Sequence, residues 1–411
     1  MTWKDFSRRQ FAKRLAVLGA LPLSARRLSA VPEVAPLKPP APPEVKSYPG
    51  ILRHRVVFWD PYGYSAWPTI LKCRDGEMLI AFCEAMRRNA RLTHADPSLY
   101  GLIIRSGDQG ESWSEHPEVI GGYEYYGMDD PGIMQLSDGR ILVNAFRRSF
   151  APAASVASRT DVRLTRVEPY QWATGYSDEM TYVFHSLDNA RTWLEPVHVD
   201  VSPFKSGCQL RAIVELPDGI LLLPCYEEFG HPSTSKLAMT WTAYVLRSRD
   251  RGRSWGEPSV IGEQGVHGIG YNEPALIHLP SGRMIALLRT GPAGWLYQSD
   301  SDDRGRTWST PAKTPMWGYP AHLRQLRDGR LLATYGHRRK PFGIRACLSS
   351  DEGRSWDIER EIVLRDDLKN RDLGYPTTTE SDDGTLLTAY YGRDENNDVT
   401  CIQITSWKVA S

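Results

Sequence analysis

The chain has 411 residues and a formal charge of +1, so it has no basic excess to neutralise a phosphate backbone, and nucleic acid is excluded as its natural partner. No run of eighteen apolar residues occurs that would span a bilayer. Thirteen Trp, 19 Tyr, 34 Gly and 29 Pro, with few apolar residues at helical spacing, point instead to strands and turns in one large all-β domain.

In chain order, the first segment reads as an address. Ser7-Arg8-Arg9-Gln10-Phe11-Ala12-Lys13 precedes a modest apolar stretch, Leu15 to Leu23, and then Leu28-Ser29-Ala30. Paired arginines, a short apolar region and small residues at a cleavage point resemble a twin-arginine export signal over residues 1–30, which places the mature protein in the periplasm or outside the cell. A basic amphipathic helix is the plainer alternative. Residues 31–49 are proline-rich and predict an extended tether, leaving residues 50–411 for the folded domain. Six cysteines permit disulfides after export. Cys73 and Cys83 flank one predicted hairpin, and Cys208 and Cys225 flank another, yet no CxxC pair suggests structural zinc. Buried free thiols are the simplest expectation.

Internal repetition decides the architecture. A turn dipeptide followed by an apolar strand occurs at Asp75-Gly76, Asp138-Gly139, Asp218-Gly219, Ser281-Gly282, Asp328-Gly329 and Asp383-Gly384, at intervals of 63, 80, 63, 47 and 55 residues. These are hairpin signals, and the period suits one four-stranded sheet per repeat. A second motif, S-x-D-x-G-x-[ST]-W, interleaves with the first. It begins at Ser106, Ser186, Ser248, Ser301 and Ser349 and ends at Trp113, Trp193, Trp255, Trp308 and Trp356; Ala190 replaces Gly in the second copy. In such a motif Asp closes a turn onto backbone N–H groups, Gly takes a left-handed conformation and Trp packs between strands.

These five octapeptides resemble the Asp-boxes of the sialidase superfamily. That resemblance implies an all-β, six-bladed β-propeller with four-stranded antiparallel blades over about residues 51–408. Residues 51–60 would supply a strand that closes the last blade and leaves no exposed edge. In the family the boxes are structural and lie away from the active site.

The resemblance also indicates where chemistry belongs. In the family's fourth blade a Glu precedes the turn and an Arg follows sixteen residues later, as Glu273 and Arg289 do. In the fifth an Arg stands shortly before the box, which selects Arg345. In the last a Tyr stands eight residues before the turn Asp, which selects Tyr375. In the first an Asp lies nine residues before the strand arginine, which selects Asp96 relative to Arg105. Each has a structural alternative: a solvated loop aspartate, a turn-capping glutamate, ion-paired arginines, a packed tyrosine. By resemblance Tyr375 is the nucleophile, Glu273 its general base and Asp96 the acid, while Arg289 and Arg345 hold the substrate carboxylate. A tyrosine suits a substrate bearing a carboxylate on its anomeric carbon, because a neutral phenol approaches without like-charge repulsion. No metal or organic cofactor is implied, and the partner is a glycan met by a monomer.

One departure stands out. The family's first blade opens with an arginine in Arg-Ile-Pro, whereas here the position holds Ala66, within Ser65-Ala66-Trp67-Pro68. Losing one charged hydrogen-bonding partner to a carboxylate costs on the order of 1.5–3 kcal/mol. Arg87 or Arg88 in the following loop are candidate substitutes, and Trp67 is a candidate for stacking on a sugar. Two other functions therefore stay open: a hydrolase or lyase for a uronate- or rhamnose-containing polysaccharide, with acid–base work by His94, His267, His322 or His337, and a glycan-binding propeller without turnover.

Overall fold

Each of the six turns joins two strands. In the computed structural model the described residues are 48–86, 96, 98–121, 126–156, 158, 162–167, 170–175, 179–207, 211–229, 240–263, 269–291, 293–393 and 399–410. The signal expected over residues 1–30 and all but the last two residues of the tether expected over 31–49 therefore lie outside them, as do Arg87, Arg88, His94, Cys208 and His267. At every turn the glycine alone is left-handed, with φ between 80° and 91°. In the second, Gly139 N–H donates to Leu136 O at 2.9 Å and Leu136 N–H to Arg140 O at 2.8 Å. This is a type I turn closed by a left-handed glycine, which is why Asp or Ser can precede that glycine without strain.

Six four-stranded antiparallel sheets follow in chain order, each beginning with its innermost strand: Gly63–Lys72, Tyr126–Gln135, Val214–Glu215, Tyr271–His278, Ala321–Gln325 and Gly374–Glu380. Blades 1 to 5 are continuous in sequence. Blade 6 takes Gly374–Glu380, Leu386–Gly392 and Cys401–Trp407 from the C-terminal end and Ile51–Phe58 from the other. Ile51 lies opposite Trp407 and His54 opposite Thr405, so the expected closing strand is in place. Blade 2 carries an insertion, a three-stranded sheet of Ala151–Pro152, Tyr170–Gly175 and Val162–Val167.

Each blade packs on its neighbours through an apolar seam. Leu79, Ala81 and Ile103 of blade 1 meet Val143, Ala145 and Phe184 of blade 2, and Tyr64, Ala66 and Met78 of blade 1 meet Leu387, Ala389 and Tyr391 of blade 6. Comparable seams join the remaining pairs, so hydrophobic burial runs around the whole ring. Cys73, Cys83, Cys225 and Cys347 are buried, free thiols, and Cys401 is buried. Burial pushes Cys73 and Cys347 up to about 12, so both are inert protonated groups.

The five boxes share one bonding scheme. The leading serine hydroxyl accepts the N–H of the fifth residue at 2.8 Å in every copy, Ala190 included. It also donates to the box aspartate at 2.8 Å each time. Boxes and turns lie on the same face of the ring, since Gln109 Nε2 reaches Gly76 O at 3.4 Å and Asn189 Nδ2 reaches Asp75 Oδ2 at 3.0 Å.

Candidate active site

Away from the turn face, four innermost strands carry the same irregularity. Trp67-Pro68, Asp130-Pro131, Glu273-Pro274 and Tyr375-Pro376 each stand nine residues before their turn glycine. At each the pairing with the second strand slips, between Ala66 and Thr69, Asp129 and Gly132, Asn272 and Ala275, and Gly374 and Thr377. All four pre-proline residues are left-handed, at φ 55°, 53°, 46° and 51°. A β-bulge re-aims the side chain it carries, and a non-glycine residue held there costs about 1–3 kcal/mol. Four blades bear that cost at one level of the ring.

The bulges bring these side chains together. Tyr375 Oη donates to Glu273 Oε1 at 2.9 Å. Arg289, near the end of the second strand of blade 4, donates through Nη1 to the same carboxylate oxygen and lies 3.4 Å from Tyr375 Oη. Trp67 meets Tyr375 edge to face, with centroids 6.4 Å apart, and also contacts Tyr64 and Tyr391. It is a packed wall of the site, not an open stacking platform. Glu273 is 4% exposed and Tyr375 is 6% exposed.

Three residues not singled out from sequence complete the group. Arg338, one position past the second strand of blade 5, places its guanidinium 5.3 Å from the Tyr375 ring centroid and 5.3 Å from that of Tyr319, and its Nε donates to Leu373 O at 3.0 Å. Arg211, just before the first strand of blade 3, lies 5.9 Å from the Tyr375 ring, with Nε donating to Ala321 O at 2.6 Å. Asp130 is buried, and its charge bears on both Arg211 and Tyr375. A sequence signal for Asp130 was present, since it shares the X-Pro spacing of Glu273 and Tyr375. A weaker one marked Arg338: like Arg289, it stands at the far end of the second strand of its blade.

Two of the residues selected from sequence hydrogen-bond to partners outside this group. Arg345, on the third strand of blade 5, is 3.8 Å from Glu361 and donates to the carbonyl oxygens of Arg365 and of Ile344. Glu361 also accepts from Tyr335 Oη. Arg345 therefore neutralises a carboxylate between strands, and Arg338 is the fifth-blade arginine at the tyrosine. Asp96 is buried, with Oδ1 accepting from Ser98 N at 2.7 Å and Ser98 Oγ at 2.6 Å. Its hydrogen bonds among the described residues shape that turn and do not reach Tyr375. His322 accepts from Thr378 N–H at 3.3 Å, and His337 is held between Pro341 O and Arg339. Burial lowers both imidazoles, His322 well below the usual range.

Electrostatics fix the protonation pattern. Burial, then the neighbouring Glu273 charge, raises the Tyr375 phenol far above its ordinary range, with Arg289 and Arg338 opposing. Tyr375 is thus a neutral donor facing a carboxylate. Burial disfavours the Arg289 cation, but Glu273 outweighs it and the net direction is up. Arg211 is brought down to about 10 by burial, against the pull of Glu273, Tyr375 and Asp130, and stays charged at neutral pH. The arrangement offers a phenol able to pass its proton to Glu273 as it attacks, beside three cations able to receive an anion.

The BNR repeat-like domain profile matches residues 142–388. The chain belongs to that family. Among solved structures, this BNR repeat-like chain is similar to a protein of unknown function from Dyadobacter fermentans, at 26% identity and TM-score 0.77, covering 88% of this chain and 100% of that one. It is similar also to the NanB sialidase of Streptococcus pneumoniae (13% identity, TM-score 0.62, 86% and 70% covered). A third likeness is to an α-L-arabinanase of Penicillium chrysogenum complexed with arabinobiose (15% identity, TM-score 0.60, 87% and 99% covered). These last two likenesses are of fold. A comparison with curated proteins gave no match. The molecule is a sialidase-like BNR-repeat propeller, and no described helix is long and apolar enough to cross a membrane.

Proposed function

We propose that this protein is a sialidase-like glycoside hydrolase that removes a terminal acidic sugar, sialic acid or a relative, with retention of configuration. The observation that carries the reading is the Tyr375–Glu273 hydrogen bond with Arg289 on the same carboxylate oxygen. Tyr375 Oη attacks the anomeric carbon while Glu273 takes its proton, and the bond to the leaving oxygen breaks as an acid protonates that oxygen. Water then attacks the anomeric carbon, giving its proton to the now ionised acid, and Tyr375 leaves, recovering its proton from Glu273. Arg289 and Arg338 hold the substrate carboxylate. Asp96 is the acid by resemblance, and Asp130 is a second carboxyl group, after Glu273, whose charge bears on Tyr375. We assign residues 1–30 to twin-arginine export and residues 31–49 to a tether, so the enzyme acts in the periplasm or beyond.

Ala66, at the place of the family's first-blade arginine, favours a second reading: cleavage of another glycan, such as a uronate- or rhamnose-containing polysaccharide. A screen of aryl glycosides and acidic polysaccharides with the mature protein separates the two. Fluorophore release from a sialic acid aryl glycoside, slow in wild type and lost in Tyr375→Phe, supports the first. Unsaturated products absorbing in the ultraviolet indicate a lyase, and glycan binding without any product rules out both enzymes. An aryl leaving group needs little protonation, so the true acid is whichever of Asp96→Asn and Asp130→Asn spares aryl substrates while losing natural disaccharides.

A further inference from the structure

We propose that Arg211, contributed by the third blade, is a substrate-binding arginine that completes a three-cation cradle with Arg289 and Arg338. It supplies the charge that the first blade lacks. This rests on reading the pocket as a site for an acidic sugar; the resemblance itself provides no arginine from the third blade.

Position comes first. Ala66 is fully buried and offers only a methyl group where the first blade would give a cation. Arg211 stands eight residues before Gly219, one short of the spacing shared by Trp67, Asp130, Glu273 and Tyr375. Its segment is fastened by Asn144, whose Nδ2 donates to Arg211 O at 3.0 Å and whose Oδ1 accepts Ile213 N–H at 3.2 Å. Gly132 makes room, since a Cβ there would lie 2.8 Å from Arg211 O. Blade 2 thus fixes the backbone that carries this side chain.

The guanidinium then decides the matter. Arg211 is 4% exposed, and its guanidinium lies 5.9 Å from the Tyr375 ring centroid, with Nε donating to Ala321 O. Its Nη2 is buried and has no hydrogen-bond partner among the described residues, and the same holds for Arg289 Nε and Arg338 Nη2. Burying a cation with unmet donors is unfavourable unless an anion meets them. Were Arg211 only a counter-charge for Glu273 or Asp130, a direct hydrogen bond to one of those carboxylates would be the economical geometry. None is made by its Nε or Nη2 among the described residues. Three buried arginine donors from blades 3, 4 and 5 around one tyrosine match the several acceptor lone pairs of a carboxylate.

The test compares an acid with its ester. Binding of 2-deoxy-2,3-dehydro sialic acid and of its methyl ester is measured by calorimetry on wild type, Arg211→Gln and Arg211→Lys. Wild type should prefer the acid at least about tenfold. Arg211→Gln should weaken the acid by about ten- to a hundredfold while changing the ester less than about threefold, with Arg211→Lys between. An equal loss for acid and ester, or no loss for either, would mean that Arg211 is structural, and the proposal falls while the acidic-sugar reading stands. If wild type binds neither compound, the acidic-sugar reading fails and takes the proposal with it. Should Arg211→Gln not fold, Arg211→Lys carries the same acid–ester comparison.

Discussion

At one end of the blades five Asp-boxes repeat the same hydrogen bonds to within about 0.1 Å. At the other, four X-Pro bulges share a backbone conformation but carry Trp, Asp, Glu and Tyr. One face holds its side chains constant and the other varies them on a constant main chain. A repeat fold thus keeps stability in one place and diversifies chemistry in another, using a strained bulge as the mounting point.

The largest expected effect belongs to the varied face. Tyr375→Phe and Glu273→Gln should each reduce turnover by about 10²–10⁴-fold, read as fluorophore release, with melting temperature little changed. A large loss of stability with modest loss of rate would make the bulged residues part of the structural set. An intermediate effect belongs to the closing strand. His54 is buried, accepts or donates at Thr405 Oγ1 at 2.8 Å, and is lowered to about 4 by burial and by the Arg365 charge, with Asp367 opposing. Above pH 6.5 it is neutral whether folded or not and contributes no pH dependence. Between about 6.5 and 4 the unfolded chain takes the proton first, so stability falls as pH falls, by about 3 kcal/mol in all. Denaturant unfolding at pH 7 and 4.5 should show that slope, and His54→Gln should flatten it. The smallest effect belongs to the constant face. Asp351→Ala removes bonds to Ser349, to Ser355 N–H and to Ser355 Oγ, which should cost about 1–2 kcal/mol and leave kcat at 25 °C unchanged. Loss of activity at full stability would blur the division between the faces.

Legibility in the sequence follows that same division. Boxes and turns are local motifs whose residues satisfy one another within eight positions, so they mark blades without knowledge of contacts. The closing role of Ile51–Phe58 followed from counting strands against turns. Glu273, Arg289 and Tyr375 were reachable because their spacing is tied to the turns. Arg345 misled because it stands on a third strand, where its side chain meets Glu361, and no linear spacing distinguishes that from a position at the site. Asp96 belongs to neither a turn nor a box, so no repeat marks it directly. Arg211 was hidden for another reason: the innermost strand of blade 3 is reduced to Val214–Glu215, with Asn144 substituting for missing ladder bonds, so the usual X-Pro mark is gone.

Sealing the ring with Ile51–Phe58 sets an order of events during synthesis. The first strand of the ring to leave the ribosome must wait, unpaired, for the last, because its partner Cys401–Trp407 is made only after the other five blades. Five blades can assemble on the growing chain, but the circle shuts only with both ends in hand. A nick or deletion that frees either strand would therefore act as an open zip, exposing two sticky edges that invite aggregation.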